Sequence, residues 1–287
     1  MKLVRFSEGG AAGQAGLLVG DKVVPVAALV PDAPADTCDL IAAWDRIAPK
    51  LARAAEAPGI PLAKVRLLAP VPRPEKIMAI GLNYADHIAE SAGAGVVTPK
   101  DQVWFAKMPS SINGPFDPVE HPKVTEKLDY EVELVAVIGK GGRHIRREDA
   151  ARHVFGYAVG NDVSVRDWQL RTHQWVLGKS FDTHAVIGPA IVTADEIGDP
   201  HGRAIKCFVN GELRQNSNTG HLVFNVWDQI VELSQVMTLK PGDIIFTGTP
   251  GGVGLAMQPP QFLRPGDVMR CEIEGLGAIE NTVVAEG

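Results

Sequence analysis

Residues 128–138, LDYEVELVAVI, are predicted to form one strand, because polar and apolar residues alternate around Glu131 and Glu133 with the period of two that is typical of a half-buried β-strand. Glu131 and Glu133 fall on one face of this predicted strand, with Cα atoms roughly 7 Å apart. Two ionised carboxylates side by side on an apolar strand repel each other unless a cation lies between them. The pattern leaves two interpretations open: an edge strand whose glutamates face water, or a divalent cation bound by carboxylate oxygens.

The hydrophobic pattern along the rest of the chain predicts an α+β fold that is mostly β. A helix is predicted over residues 39–56 with Thr37 as N-cap, and another over 221–237, entered through Asn218 and Thr219. Asn210-Gly211 predicts a two-residue hairpin turn. The predicted strands are 2–6, 15–19, 22–29, 76–80, 102–107, 128–138, 155–162, 186–192, 205–209, 244–248 and 268–273.

A proline-rich run, PVPRP at residues 70–74, predicts a stiff, extended connector, because each proline fixes its own φ and disfavours helix in the preceding residue. We place a domain boundary there. The prediction is a small N-terminal α+β domain over residues 1–70 and a larger catalytic domain over residues 71–287.

Composition and charge narrow the class of partner. The 287 residues carry a formal charge of −6 with no basic run, which argues against a nucleic-acid partner. The three cysteines lie far apart and form no disulfide framework, as expected in a reducing cytoplasm. No signal peptide and no membrane-length apolar run is evident. We therefore expect a cytoplasmic protein with a small-molecule substrate, no nucleic acid and no membrane.

One candidate for acid–base chemistry lies in GLNYADHIAE, residues 81–90. His87 and Glu90 are three residues apart, so a single helical turn would place them side by side. A carboxylate beside an imidazole orients it and raises its basicity, which makes a general base near neutral pH. A histidine alone is more often structural than catalytic, and His87 is separated from the other histidines by having both a carboxylate at helical spacing and a flexible, glycine-containing neighbourhood.

Two further segments carry charged residues of interest. Asp162 ends an apolar strand and could join Glu131 and Glu133, with Arg166 just beyond it as a carboxylate-binding side chain. The alternative is that Asp162 only caps a helix and that Arg166 is solvated. Lys179 follows the apolar run WVLG and could stabilise a developing enolate, although most lysines are simply solvated.

Seven motifs in register over residues 75–287 resemble the fumarylacetoacetate hydrolase family, in its short bacterial-type form. The resemblance implies a mixed β-sandwich roll as catalytic domain and a homodimer. A carboxylate that longer members place upstream of the histidine is missing from residues 76–83, which puts fumarylacetoacetate itself in doubt as substrate. The motifs are GLNYADHIAE, FAKMPSSINGP, DYEVELVAVIGK, GNDVSVRDWQ, GKSFDTHAVIGP, NGELRQNSNT and KPGDIIFTGTPGGVG.

The resemblance also implies a role for individual residues. One Mg²⁺ or Mn²⁺ per subunit is expected on three carboxylates, those of Glu131, Glu133 and Asp162. His87 and Glu90 would activate water, with Lys179 beside the metal. The expected substrate contacts are Arg166, Gln169, Thr249 and Tyr84, with Lys107 and Ser111 as weaker correspondences.

These expectations combine into one reaction. A 2,4-dioxo acid of the acylpyruvate or diketo-deoxy sugar acid type would be hydrolysed at a C–C bond. The products would be a carboxylic acid and pyruvate, which is released as its enolate. Ranked second are oxaloacetate tautomerisation or decarboxylation and isomerisation of hydroxydienedioates, which use the same enolate. A non-enzyme alternative remains, in which the carboxylates hold a structural cation in a binding module.

Overall fold

The computed structural model of the chain describes residues 1–86 and 100–287. The described strands form a twelve-stranded sheet, a five-stranded sheet and a separate two-stranded pair. The strands are β1 (Lys2–Glu8), β2 (Gln14–Val19), β3 (Lys22–Pro25), β4 (Ile60–Pro61), β5 (Val65–Leu68), β6 (Ile77–Gly81), β7 (Val103–Lys107), β8 (Ile112–Asn113), β9 (Val119–His121), β10 (Leu128–Asp129), β11 (Val132–Ile138), β12 (Val154–Asp162), β13 (Ser164–Val165), β14 (Ala185–Thr193), β15 (Ala204–Val209), β16 (Glu212–Asn218), β17 (Ile244–Phe246), β18 (Val268–Ile273) and β19 (Gly277–Ala285).

The helices of the described residues are short, which confirms the prediction of a mostly β fold. The α-helices are Val26–Leu29, Thr37–Ala42, Trp44–Leu51, Arg166–Gln169, Val176–Lys179, Ala194–Ile197 and Val226–Val236, and the 3₁₀ turns are Ala52–Ala55, Leu62–Lys64, Pro109–Ser111, Ala150–His153, Thr219–His221 and Gly254–Ala256. None of these helices is long and apolar enough to cross a membrane.

Strand β11 lies in the interior of the large sheet, whose order is β4-β3-β2-β1-β14-β12-β11-β17-β6-β7. It pairs antiparallel with β12 on one side and with β17 on the other, and every one of its residues is buried. Val132 and Leu134 pack into one hydrophobic core, while Val135 and Val137 pack into a second core on the opposite face. A strand covered on both faces and paired on both edges cannot be the water-facing edge strand that the sequence left open.

The single strand predicted over residues 128–138 is wrong in one respect, because the chain breaks into β10 and β11 at Tyr130 and Glu131. The backbone N–H of Glu131 donates to Asn161 Oδ1, and that of Val132 donates to Gln215 Oε1, both at 2.9 Å. Side-chain acceptors thus replace the ladder at this point, so the backbone groups stay satisfied while the strand is interrupted.

The longest helix, Val226–Val236, begins later than the predicted start at residue 221. Asn225 is its N-cap and forms a reciprocal capping box with Asp228. Asn218, the predicted cap, instead caps the short 3₁₀ turn Thr219–His221 through Gly220 N–H. Two asparagines seven positions apart each cap a separate element, and the sequence pattern merged them into one.

The predicted helix over residues 39–56 is divided into Thr37–Ala42, Trp44–Leu51 and a 3₁₀ turn. Its N-cap is Asp36, whose carboxylate accepts hydrogen bonds from the backbone N–H groups of Cys38 and Asp39, rather than the predicted Thr37. The hairpin prediction agrees with the structure, because Asn210 and Gly211 both have positive φ between β15 and β16.

The first seventy residues extend the large sheet, because β1 pairs antiparallel with β14 as well as with β2 and β5. Leu40, Ile47 and Leu51 of the N-terminal helices belong to the same hydrophobic core as Val135 and Val137 of β11. The division into domains at residue 70 stays a prediction from the proline-rich connector.

Asn225→Ala should lower the free energy of unfolding by about 1 kcal/mol, because it removes the cap of the Val226–Val236 helix. The matched control is Asn218→Ala, which removes a single hydrogen bond to the short 3₁₀ turn and should cost less. Chemical denaturation of both variants and the wild type measures the difference. An equal or larger loss for Asn218→Ala would mean that the helix is anchored at residue 218, as the sequence pattern had suggested.

Candidate metal centre and active site

Three buried carboxylates meet where β11 and β12 lie side by side. Oxygens of Glu131, Glu133 and Asp162 all lie within 4.8 Å of one another. Glu133 pairs with Gly160 in the β11–β12 ladder. Asp162 is the last residue of β12, and its backbone N–H donates to the carbonyl oxygen of Glu131 at 2.9 Å. The residues are 5%, 1% and 0% exposed, respectively. Glu133 of β11, Glu131 of the break just before β11, and Asp162 at the end of β12 are thereby brought together.

Two buried lysines place their ammonium groups against this cluster. Lys179 Nζ lies 2.8 Å from Glu131 Oε2 and 2.7 Å from Asp162 Oδ2, so it bridges the two carboxylates. Lys107 Nζ lies 2.5 Å from the other oxygen of Asp162, Oδ1. Burial lowers the pKa of Lys179, but the attraction of Asp162 and Glu131 outweighs burial and leaves its pKa above the ordinary value. For Lys107 burial dominates and the pKa is lowered.

Arg166 forms the third cationic contact. Its Nη1 lies 2.5 Å from Glu131 Oε1 and 2.9 Å from Gln169 Oε1, while Nε lies 2.8 Å from Asp129 Oδ2. The short helix Arg166–Gln169 brings the arginine and the glutamine together at a spacing of three residues. Burial disfavours the charged guanidinium, but the two carboxylates reverse that effect and raise the pKa of Arg166.

With every carboxylate ionised, negative charge would exceed positive charge among the described residues of this cluster. Four buried carboxylates, those of Asp129, Glu131, Glu133 and Asp162, face three cations, those of Lys107, Lys179 and Arg166. Glu133 forms no ion pair with a described residue, and it accepts a hydrogen bond from Gly248 N at 2.7 Å.

The electrostatics of Glu133 test whether the residues fit a metal ion. Burial, and then the like charges of Asp162 and Glu131, raise the pKa of Glu133 well above its ordinary value. Convergent, buried carboxylate oxygens with excess negative charge are the donor set that a hard divalent cation prefers. The three carboxylates predicted as ligands therefore fit a divalent cation in position, chemistry and charge.

The other residues singled out from the sequence are distributed around this cluster. Gln169 is buried against Arg166. Thr249 is buried, donates its hydroxyl to Val132 O at 2.9 Å and accepts from Gln215 Nε2 at 2.8 Å. In this geometry its hydroxyl holds the chain beside the site. His87 and Glu90, the predicted base and its partner, lie outside the described residues.

Tyr84 is fully buried, and its hydroxyl has no hydrogen-bond partner among the described residues. Burial, followed by the charges of Glu133 and Asp86, raises the pKa of its phenol, so the hydroxyl stays protonated. A buried, unpartnered donor near the carboxylate cluster is compatible with the predicted substrate contact. Ser111, by contrast, donates its hydroxyl to Met108 O in the turn after β7.

Three important residues escaped the sequence reasoning or were underrated. Lys107 was a weak correspondence, yet it forms an ion pair with Asp162. Asp129, two positions before Glu131, was given no role, yet it binds Arg166. Gln215 lies in the motif NGELRQNSNT but was given no individual role, although it bonds both Val132 N and Thr249. The DYEVE alternation could have drawn attention to Asp129, but nothing local marks the other two.

Comparison with known proteins identifies the family. Residues 76–284 match the family described as Fumarylacetoacetate (FAA) hydrolase C-terminal, and residues 1–70 match Rv2993c-like, N-terminal. Oxaloacetate tautomerase Fahd2a, mitochondrial, of Rattus norvegicus is 51% identical over 234 residues, which cover 81% of this chain and 74% of the relative.

Solved structures agree along the whole chain. Fumarylacetoacetate hydrolase (EaFAH) from psychrophilic Exiguobacterium antarcticum is 40% identical with a TM-score of 0.88, and the match covers 100% of both chains. Maleylpyruvate hydrolase from Sphingobium sp. SYK-6, solved in complex with manganese (II) ion and pyruvate, is 36% identical with a TM-score of 0.85, again over 100% of both chains. The resemblance read from the sequence motifs is confirmed, and the chain belongs to the fumarylacetoacetate hydrolase family.

Proposed function

We propose that this chain is a divalent-metal-dependent enzyme that acts on small 2-oxo acids through an enolate. The observation that carries the proposal is the buried cluster of Glu131, Glu133 and Asp162 with Lys179 and Arg166 against it. A structural cation site alone would need the carboxylates but would have no use for two further buried cations beside them.

Mg²⁺ or Mn²⁺ bound to the three carboxylates would supply positive charge for the carboxylate and 2-oxo oxygens of the substrate. The residues of the chain account for the other requirements. The ammonium group of Lys179 is buried and charged, so it can stabilise negative charge as it develops on the 2-oxo oxygen. The guanidinium of Arg166 can bind a carboxylate, since one of its nitrogens, Nη2, has no partner among the described residues.

The reaction that we favour is keto–enol tautomerisation of oxaloacetate, which the sequence alone ranked second. Identity of 51% to an oxaloacetate tautomerase supports this order. The reaction moves one proton from carbon 3 to the 2-oxo oxygen, or back, and breaks no C–C bond. It needs one acid–base group, for which His87 with Glu90 is the sequence-based candidate, and a group such as Lys179 that stabilises the enolate.

Hydrolysis of an acylpyruvate is the second candidate, and similarity to maleylpyruvate hydrolase supports it. Water would add to the distal carbonyl, and the bond between that carbonyl and the neighbouring methylene carbon would break. The products would be a carboxylate, a proton and pyruvate, which leaves as its enolate and is then protonated. Unlike tautomerisation, this reaction requires an activated water, which His87 would have to deprotonate. The homodimer and the cytoplasmic location stay predictions from the sequence.

A substrate panel separates these reactions. Oxaloacetate, acetylpyruvate, maleylpyruvate and diketo-deoxy sugar acids are incubated with the Mg²⁺-loaded protein, and the products are followed by NMR. We expect the protein to accelerate the interconversion of keto and enol oxaloacetate relative to the reaction without protein, and to cleave little of the acylpyruvates. Pyruvate and a carboxylic acid appearing from an acylpyruvate would instead favour hydrolysis, and pyruvate appearing from oxaloacetate would favour decarboxylation.

The control for the panel is His87→Ala, which should abolish the turnover shown by the wild type. If His87→Ala retained full turnover, the assignment of the base would be wrong. If the wild type turned over no compound while EDTA lowered only its melting temperature, the chain would be a metal-stabilised binding module.

Glu131→Gln should greatly weaken Mn²⁺ binding, measured by isothermal titration calorimetry, because it replaces a charged oxygen ligand with a neutral amide. Asp117→Asn is the matched control, since Asp117 pairs with Arg66 outside the cluster. Its Mn²⁺ affinity should equal that of the wild type. Wild-type affinity in Glu131→Gln would refute the assignment of this glutamate as a ligand.

Lys179→Met should lower kcat about a hundredfold or more, the typical effect of removing one preorganised donor to developing negative charge. The same variant should bind Mn²⁺ at least as tightly as the wild type, because Lys179 competes with a cation for oxygens of Glu131 and Asp162. Lys206→Met, on β15, is the control and should leave both quantities unchanged. Normal kcat in Lys179→Met would exclude its role beside the reacting oxygen.

A further inference from the structure

Asp129 is buried beside the three candidate metal ligands but is not one of them. It ends β10, where it pairs with Ser164 of β13, and its side chain is completely inaccessible. Oδ1 accepts from Gly254 N at 2.8 Å and Tyr130 N at 2.9 Å, and Oδ2 accepts from Leu255 N at 3.0 Å. Its remaining described contact, from Arg166 Nε to Oδ2 at 2.8 Å, is the ion pair already described.

The fit between Asp129 and the turn at residue 254 leaves no room for a side chain. A Cβ added at Gly254 would lie 2.7 Å from Asp129 Oδ1 and 2.1 Å from Gln261 O. Such a close approach of backbone to carboxylate is available only to glycine. The turn Gly254–Ala256 is thereby held against Asp129 by two N–H groups of consecutive residues.

The same turn ends a segment that borders the site. At its other end Thr249 is bonded to Val132 O and to Gln215, while Leu255 is bonded to Asp129. Asp129 therefore connects the far end of this segment with the guanidinium of Arg166. The Asp129 carboxylate therefore fixes both the segment and the guanidinium, and neither can shift without breaking a buried, charged hydrogen bond.

The orientation of Arg166 follows from this arrangement. Asp129 holds Nε, and Glu131 with Gln169 hold Nη1. The planar guanidinium is therefore fixed on two sides, and Nη2 is left buried without a partner among the described residues. A buried, unpartnered donor on a fixed guanidinium is costly for the free protein and becomes favourable when an anionic ligand supplies the acceptor.

We propose that Asp129 is a positioning residue that orients Arg166, so that Nη2 faces a carboxylate of the bound 2-oxo acid. The same carboxylate of Asp129 holds the turn at residues 254–255 in place beside Arg166. The inference rests on the proposed function, because it takes the ligand to be an anionic 2-oxo acid. The hydrogen bonds described for the Asp129 side chain go to Arg166 and to backbone N–H groups, and none goes to the three predicted metal ligands. Its role is therefore in substrate affinity and not in metal affinity.

The test is Asp129→Asn, which keeps the shape of the side chain but leaves only one acceptor oxygen for four donors. The Kd for pyruvate, measured by calorimetry on the Mn²⁺-loaded protein, should rise about tenfold, the equivalent of one lost charged hydrogen bond. The Kd for Mn²⁺ alone should stay at the wild-type value. With a substrate found in the panel, KM should rise more than kcat falls.

Two further variants separate positioning from a general loss of structure. Asp167→Asn makes the same charge change one residue from Arg166, at a carboxylate bonded to Thr125, and should bind pyruvate like the wild type. Leu255→Pro removes one N–H donor to Asp129 and keeps the ion pair with Arg166. This variant should raise the Kd for pyruvate by a smaller factor than Asp129→Asn. It tests the contact between Asp129 and the turn at residues 254–255 even if Asp129→Asn does not fold.

The outcomes distinguish this inference from the proposed function. Wild-type protein that binds Mn²⁺ but not pyruvate would contradict the proposed function and this inference with it. Wild-type binding of pyruvate together with unchanged pyruvate Kd in folded Asp129→Asn would overturn the positioning role alone. Loss of Mn²⁺ affinity as large as the loss of pyruvate affinity would also overturn it, because Asp129 would then support the metal centre instead.

Discussion

Mutual repulsion among Glu131, Glu133 and Asp162 is the constraint on which the rest of the site depends. Each buried carboxylate costs several kcal/mol of desolvation unless partners compensate for it, and three of them lie within 4.8 Å. Lys179 and Lys107 compensate Asp162, and Lys179 with Arg166 compensates Glu131. Glu133 receives only a backbone N–H among these contacts, so its negative charge is not compensated, and burial followed by the like charges of Asp162 and Glu131 raises its pKa. A divalent cation is the partner that this excess charge favours.

The fold makes this arrangement rigid. Strands β11 and β12 are buried along their whole length, between two hydrophobic cores and with neighbouring strands on both sides. Side chains that project from such strands lose little further freedom when a ligand binds, which favours preorganised charge. The two buried lysines come from elements at the edge of this frame, Lys107 from the end of β7 and Lys179 from the end of the helix Val176–Lys179.

Sequence patterning predicted the elements that depend on local hydrophobic periodicity and failed where distant residues decide. The strands at residues 155–162 and 268–273 follow from alternation and β-branched residues, and the structure has them at nearly those bounds. The break between β10 and β11 depends on Asn161 and Gln215, which are far from it in sequence and supply acceptors in place of a ladder. Local alternation carries no information about such partners.

The same distinction applies to the site. Glu131, Glu133 and Asp162 could be found because carboxylates on an apolar strand contradict its pattern, and the structure brings the three together. Lys107 follows an apolar strand, as many solvated lysines do, and only the fold shows that its ammonium group is buried against Asp162. Family motifs partly supplied this information, because they include residues such as Lys107 whose contacts are visible only in the folded structure.

Lys179 and a divalent cation would need the same oxygens, and this shared demand links metal binding to substrate binding. In the structure Lys179 Nζ bridges Glu131 Oε2 and Asp162 Oδ2, both of which belong to the candidate ligand set. A cation that takes these oxygens weakens the hold of both carboxylates on the ammonium group. The lysine remains buried and still requires a counter-charge. An anionic 2-oxo acid is a ligand that can supply this charge, so the protein without substrate would keep an uncompensated ammonium group at the position where the proposed reaction develops negative charge.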